Sequence, residues 1–376
     1  MRGLVLLALA VLVPTTALAT VPPPPTFDLH PGGKTAIISF AAPPARVACD
    51  GREAAVIQSA PLHPKAWQPW APPAGAPSSD FPKLGQSFTF SVDADGAVID
   101  LKRGPGFAPW SGEEQAAAVA AWRFAPGAPA TGCKLDLVPT QTTLADTAPA
   151  KLFELLAFER RNTPPAVREA LAKAGDCNQP PRRAPDLIAY PDLRTFNDKS
   201  VAPPWAGVRY SIDAKGAVRD VRVIAQGGAT AFADAAASSI AESRFYPGSP
   251  RTGCYAAFTA RSKATPAPAR PDIKAFERPG DACDITREAM NVPENKTFPP
   301  AYAARGVAGW AIVRFDVAPW GQIGNVEVVA SQPSETFGFA ARNLVQSARP
   351  SAPATGYRGC LVPIVYAIPA PVDDFD

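Results

Sequence analysis

The 376-residue sequence predicts an α+β fold of three tandem two-layer β-β-α-β modules, and three observations carry that expectation. Its six cysteines fall into like-placed pairs, Cys49/Cys133, Cys177/Cys254 and Cys283/Cys360. Each pair brackets the same landmarks in one order: an alternating apolar stretch, a glycine turn, a second alternating stretch, an Ala-rich segment and a Pro-x-Thr-Gly signature. The signature reads Pro129-Ala130-Thr131-Gly132, then Pro250-Arg251-Thr252-Gly253, then Pro353-Ala354-Thr355-Gly356. A period of roughly 105–130 residues suits tandem domains rather than a solenoid.

The second repeat has the cleanest strand. Val208, Tyr210 and Ile212 alternate with Arg209, Ser211 and Asp213, which gives one buried and one wet face. The turn Asp213-Ala214-Lys215-Gly216 follows, and Val221 and Val223 mark the returning strand. The first repeat matches with Phe88, Phe90 and Val92, the turn Asp93-Ala94-Asp95-Gly96, then Val98 and Leu101. The third has Val313, Phe315 and Val317, the turn Ala318-Pro319-Trp320-Gly321, then Val326 and Val328. A helix comes next in each. Ser111-Gly112-Glu113-Glu114 fits a capping box, Phe232, Ala236 and Ile240 share a helical face, and so do Phe337, Ala341, Leu344 and Val345. Exits at Arg123-Phe124, Arg244-Phe245 and Arg349-Pro350 lead to a last apolar strand at 135–138, 255–260 and 361–368. The helix covers the one face each sheet must bury.

Residues 1–20 explain the use of cysteine. Arg2, an apolar run over 4–13 and Ala17-Leu18-Ala19 form a signal-peptide pattern, which implies an oxidising compartment, the periplasm. The competing reading is a retained membrane anchor, against which the run is short and closed by Pro14. The boundaries read as signal peptide 1–19 and repeats 20–144, 145–264 and 268–372. Six cysteines allow fifteen pairings, and repeat symmetry selects closure of each repeat on itself. Zinc fails as an alternative: there is no C-x₂₋₄-C, and the only histidines are His30 and His63. The apolar fraction of 47% suffices for cores, and a net charge of +3 indicates no nucleic-acid partner. Proline, at 45 residues, concentrates at 21–25, 71–77, 180–185 and 265–271, which read as stiff connectors and loops. Linkers near 140–149 and 263–271 are expected to be exposed.

Phe298-Pro299-Pro300-Ala301-Tyr302-Ala303-Ala304-Arg305-Gly306, at the start of the third repeat, resembles the entry motif of the TonB C-terminal domain family, with Phe298, Pro299, Tyr302, Arg305 and Gly306 as the matching positions. Val313-Arg314-Phe315-Asp316-Val317, Gly321, Asn325-Val326-Glu327-Val328-Val329 and Val362-Pro363-Ile364-Val365-Tyr366 continue the likeness in register over residues 298–368. The first two entry segments, at 80–85 and 202–207, keep the proline and glycine but lose the arginine and read as diverged copies. The resemblance implies a periplasmic domain that binds the TonB-box peptide of an outer-membrane TonB-dependent receptor, or another envelope protein, by strand addition. It implies an inner-membrane motor as partner only if residues 1–20 are retained as an anchor. The disulfide brace is an addition to the family pattern.

No catalytic residues, metal site or cofactor are expected. His63 lies in the proline-framed Pro61-Leu62-His63-Pro64, and Asp93, Asp95 and Asp213 are turn residues. Trp67, Trp70 and Trp110 are either core or an aromatic ligand surface, while Trp122 reads as core. Ala157-Phe158-Glu159-Arg160 recurs as Ala275-Phe276-Glu277-Arg278 and reads as a boundary element. The expectation is a non-enzymatic binding protein, with an anchored transducer or an envelope scaffold as alternatives. Pro363 marks 361–368 as an edge strand, because proline cannot donate to a ladder. The outward N–H groups should then belong to Leu361, Val365 and Ala367, beside Pro363.

Overall fold

A computed structural model describes residues 35–67, 86–104, 113–159, 163–286, 289–292, 297–353 and 355–368. The expected signal peptide, the loop 71–77, the entry segment 80–85, Trp70, Trp110, Ser111, Gly112 and Arg160 lie outside the described residues. In chain order the elements are β1 (Ala36–Ser39), β2 (Arg46–Cys49), β3 (Arg52–Gln58), β4 (Lys65–Trp67), β5 (Gln86–Val92), β6 (Val98–Arg103), α1 (Glu113–Ala120), β7 (Arg123–Phe124), β8 (Ala130–Leu137) and β9 (Thr140–Thr143). There follow α2 (Pro149–Phe158), α3 (Pro165–Ala172), β10 (Pro185–Leu187), β11 (Trp205–Ile212), β12 (Val218–Gly227), α4 (Thr230–Glu242), β13 (Arg244–Phe245) and β14 (Arg251–Thr259). The last elements are α5 (Pro300–Ala304), β15 (Gly309–Val317), β16 (Ile323–Gln332), α6 (Glu335–Ser347) and β17 (Tyr357–Tyr366). The fold is α+β, with small antiparallel sheets and few helices.

Three sheets share one strand order: β6-β5-β8, β12-β11-β14 and β16-β15-β17. In each, the first hairpin strand is central, because it is the most apolar and the rest of the unit closes on it. Phe88, Phe90, Val208, Val313 and Phe315 are buried. Helices α1, α4 and α6 lie on one face through Ala116–Ala120, through Phe232, Ala236 and Ile240, and through Phe337, Ala341 and Val345. Two irregularities recur at matching positions. Asp100, Asp220 and Asn325 take φ of 53, 53 and 50° at a register shift in the second strand. Asp and Asn tolerate this left-handed conformation better than other non-glycine residues. Gly132, Gly253 and Gly359 take φ of 60, 66 and 68° immediately before the second cysteine, where the last strand carries an extra residue. The third Pro-x-Thr-Gly signature is therefore out of step: Gly359, not Gly356, is the counterpart of Gly132 and Gly253.

The extra residue serves a staple. Asp50 N–H donates to the Thr131 carbonyl (2.9 Å), Asp176 to Thr252 (3.1 Å) and Ala282 to Arg358 (2.9 Å). Beside each bond lies a disulfide, Cys49–Cys133, Cys177–Cys254 or Cys283–Cys360, with Cα separations of 3.8, 5.0 and 5.2 Å. The chain entering each unit is thus fastened to the outer side of that unit's last strand.

The connecting segments 140–149 and 263–271 are mostly exposed, as expected, but they are tied into the fold. Residues 140–143 form β9 and pair with β1, which also pairs with β4. Thr147 and Thr265 are buried, and Thr265 exchanges bonds with Gly306 and Ala308. Helices α2 and α3 cover the second sheet on the face opposite α4, and a Cβ at Gly207 would collide with the Phe153 ring, so that glycine is the socket for the phenyl group. The two copies of the Ala-Phe-Glu-Arg element differ in conformation: one closes α2, and the other ends a 3₁₀ turn over 273–276. The first and third units share one apolar core, which runs from Val98, Ala117 and Trp122 to Tyr302, Phe315 and Phe337. The reason is packing rather than local sequence, since α1 is apolar enough to bury two sides.

Tyr302 is fully buried within that shared core. Tyr302→Ala should cost about 3–4 kcal/mol. Hydrogen exchange should show protection lost at α1 as well as in the third unit, with α4 unchanged.

Candidate peptide-binding edge

Among the described strands β17 neighbours β15. The register sets Leu361 opposite Arg314, Pro363 opposite Ile312 and Val365 opposite Trp310. Pro363 has no N–H, so the Ile312–Pro363 pair is a non-hydrogen-bonded one, and by alternation the pairs two residues to either side are of the same kind. Val362, Ile364 and Tyr366 pack into the core under α6. Leu361, Pro363 and Val365 occupy the opposite face, where Leu361 and Pro363 are half-buried and Val365 is 45% exposed. Ala367 lies exposed just beyond the strand.

The chain ahead of the third unit limits how much of this strand is accessible. Arg358 and Ala282 exchange both backbone bonds (2.9 and 3.0 Å), which occupies the outer side of β17 at its start. Trp310 Nε1 donates to the Pro268 carbonyl (2.8 Å), and Arg314 donates to the Phe276 carbonyl (3.2 Å) and pairs with Asp281. The stretch from Pro268 to Asp281 therefore crosses the sheet face opposite α6. Trp310 lies opposite Val365 and Arg314 opposite Leu361, so the strap follows the face of β17 past Cys360 as well, and within 361–367 the exposed residues are Val365 and Ala367.

The entry-motif residues divide between two tasks. Phe298, Tyr302, Phe337 and Tyr366 form an aromatic cluster, with centroids 4.8 to 6.1 Å apart and mostly edge-on, and Pro299 caps α5. Gly306, with φ of 66°, turns the chain into β15 and accepts a bond from Thr265 N–H (2.8 Å). Arg305 instead leaves its own unit. Its Nε donates to Glu114 Oε1 (3.1 Å) and its Nη2 to the Pro61 carbonyl (3.0 Å). Lys65 lies 3.1 Å from Glu114 and 4.0 Å from Glu159. Burial pushes the Glu114 carboxyl up, but Arg305 and Lys65 more than offset it and hold the group down at about 2.

His63 adjoins this junction. Its ring stacks on Phe158 (centroids 3.4 Å, 15°) and its Nδ1 is 3.2 Å from Glu154 Oε1. Burial lowers its pKa from the ordinary value, against the Glu154 bond. The side chain joins the first unit to α2. Sequence reading missed the role of Glu114, which it took as part of a cap, and the role of His63. It also missed a signal that was present: Trp205-Ala206-x-Val208-Arg209 recurs as Trp310-Ala311-x-Val313-Arg314 and marks the face that the preceding segment covers.

Residues 294–368 match the family described as Gram-negative bacterial TonB protein C-terminal. The chain therefore carries a TonB C-terminal domain at its third unit, a domain of TonB-like envelope transport proteins. No curated protein sequence matches the chain. Among the described residues no helix is long and apolar enough to cross a membrane.

The Glu114–Arg305 pair has a pH signature. The folded carboxyl sits below its unfolded value near 4.5, so its contribution is complete above that pH and is lost as pH falls toward 2. Glu114→Gln leaves Arg305 buried beside a neutral partner and should cost about 3 kcal/mol at pH 7. The difference from the unsubstituted protein should vanish near pH 2, as read by denaturant titrations across pH.

Proposed function

We propose that the chain is a periplasmic, non-enzymatic binding protein of three diverged TonB C-terminal-like modules (20–144, 145–264 and 268–372) that follow a signal peptide at 1–19. The third module takes an extended peptide of an outer-membrane TonB-dependent receptor as an additional strand along β17. The observation that carries this reading is the position of β17 at the margin of the third sheet, next to β15 alone among the described strands. The placement of Pro363 supports it, since a proline in a ladder suits an edge and directs the Leu361 N–H outward. Beside that edge Val365 is exposed, which gives a side chain of a partner strand something to cover. The family match at 294–368 supports the class of partner. The first and second modules lack the entry arginine, which favours a supporting role for them.

The purified mature chain, immobilised and exposed to detergent-solubilised outer membranes, should retain a TonB-dependent receptor identifiable by mass spectrometry. Leu361→Pro removes one backbone donor on the outer side and should reduce capture at least about tenfold, with a melting temperature lowered by only a few degrees. Val365→Arg, at an exposed side chain, should reduce capture likewise and serves where the proline variant unfolds. Undiminished capture by both variants would place the partner elsewhere on the molecule.

A further inference from the structure

The tip of the third hairpin differs from its two counterparts in a way the fold does not require. In the first unit Phe124 N–H donates to the carbonyl of the turn residue Gly96 (2.8 Å), and in the second Phe245 N–H donates to Gly216 (2.9 Å). Those bonds tie the exit strands β7 and β13 across the turn, and Ala97 and Ala217 bridge to Arg123 and Arg244. The residue at the matching place in the third unit is Pro350, which has no N–H to give. The turn rests against Pro350 without that tie, and a cleft of about 680 Å³ lies at the hairpin tip between the turn, the strap residues Gly280 and Ala282, and the start of β17.

The walls of the cleft have a specific chemistry. Trp320 is 72% exposed, at the position that Asp95 and Lys215 hold in the other turns, so neither turn geometry nor packing calls for an indole. Its Nε1 donates to Gln322 Oε1 (3.0 Å), which satisfies the polar edge and fixes the ring while its face stays exposed. Arg358 replaces Thr131 and Thr252 of the other units. Its backbone is held by Ala282, and its exposed guanidinium has no partner among the described residues. Asp316 is tied into the frame: its Oδ1 accepts from Gly359 N–H and its Oδ2 from Asn325 Nδ2, both at 2.7 Å. Asn325 and Tyr357 also line the cleft and add polar groups to its rim.

The geometry points to a second binding site here, one that takes a carboxylate-bearing pyranose oligosaccharide. A wholly apolar occupant would leave the rim groups without partners. A sugar ring offers one C–H face for the indole and hydroxyls for the rim, and Arg358 matches a planar carboxylate with its fork of donors. The volume lies within the range of small-ligand sites. Muramic-acid glycans and uronate oligomers both carry the required groups. This site lies on the strap side of Arg358 and is independent of strand addition beyond Leu361.

The test is calorimetric titration of the full mature chain with a glucosamine–muramic acid tetrasaccharide, with trigalacturonate and with neutral chitotetraose. At least one acidic oligomer should bind about tenfold more tightly than chitotetraose, and the stronger of the two identifies the source. Trp320→Ala should abolish binding of all three at unchanged melting temperature. Arg358→Met should erase the preference for acidic sugars and leave the chitotetraose affinity as it was. Absence of binding at millimolar concentration, equal binding by Trp320→Ala, or a Trp320-dependent association with anionic phospholipid vesicles in place of the sugars would overturn the assignment.

Discussion

A three-stranded sheet has one interior strand and two edges, and each unpaired edge is a row of donors and acceptors that invites association. Most of the architecture answers that constraint. The β6 edge of the first unit is capped by the third: Leu101 N–H donates to the Pro333 carbonyl (2.8 Å), Arg103 N–H to Glu335 Oε1 (3.2 Å), and Asp100 and Gln332 exchange two bonds. The last strands are blunted by the chain that enters each unit, through the same bonded residue and the same disulfide. The left-handed glycine before the second cysteine makes this possible, since the extra residue it accommodates turns a backbone carbonyl out toward the strap. A Cβ at Gly132 or Gly359 would strike the carboxylate of Asp50 or Asp281, so the same glycines also make room for the acids that flank the staple.

With the edges managed, the units are free to pack by their faces, and they do so unequally. The second sheet is sandwiched between α4 and the α2–α3 pair, with Trp205, Phe153 and Ile37 in the second layer. The third sheet has α6 on one side and the irregular stretch that ends at Asp281 on the other. Lys65, Glu114, Arg305, Glu159, Glu154 and His63 meet where these assemblies adjoin. Burial raises the Glu159 carboxyl, only partly opposed by Lys65, while Glu114 is held ionised by its two cations. A half-buried ionic junction of this kind adds little net stability, but removal of any one member is costly, which makes it a device for fixing orientation.

Much of the single unit was legible in the sequence because its determinants are local. Alternation at 208–212 and 313–317 wrote the central strands, turn glycines closed the hairpins, and Phe232/Ala236/Ile240 wrote a helical face. Cysteine symmetry gave the pairing because each bridge closes within one unit. What escaped was set by distant partners. Nothing near Thr140 announces that it will pair with Ser39, and an alanine-rich helix such as α1 reads the same whether it covers one core or joins two. The third signature misled because a Thr-Gly dipeptide sits three residues ahead of Gly359, and only the register of β17 shows which glycine carries the bulge. At the candidate edge, Pro363 was readable in one position, whereas the strap that shortens the usable strand depends on Ala282 meeting Arg358.

The disulfides also define how tension would travel. Pulling on β17 beyond Cys360 loads the Sγ–Sγ bond to Cys283 and passes into the chain that precedes the third unit. The hairpin and helix between those cysteines lie outside the covalent route, as do their counterparts between Cys177 and Cys254 and between Cys49 and Cys133. Under load the hairpins and helices hang from a short covalent spine as side branches. The strain falls on the connectors and on the ends of β8, β14 and β17 that run on past their cysteines, so extension would strip those strand ends and leave the hairpins intact.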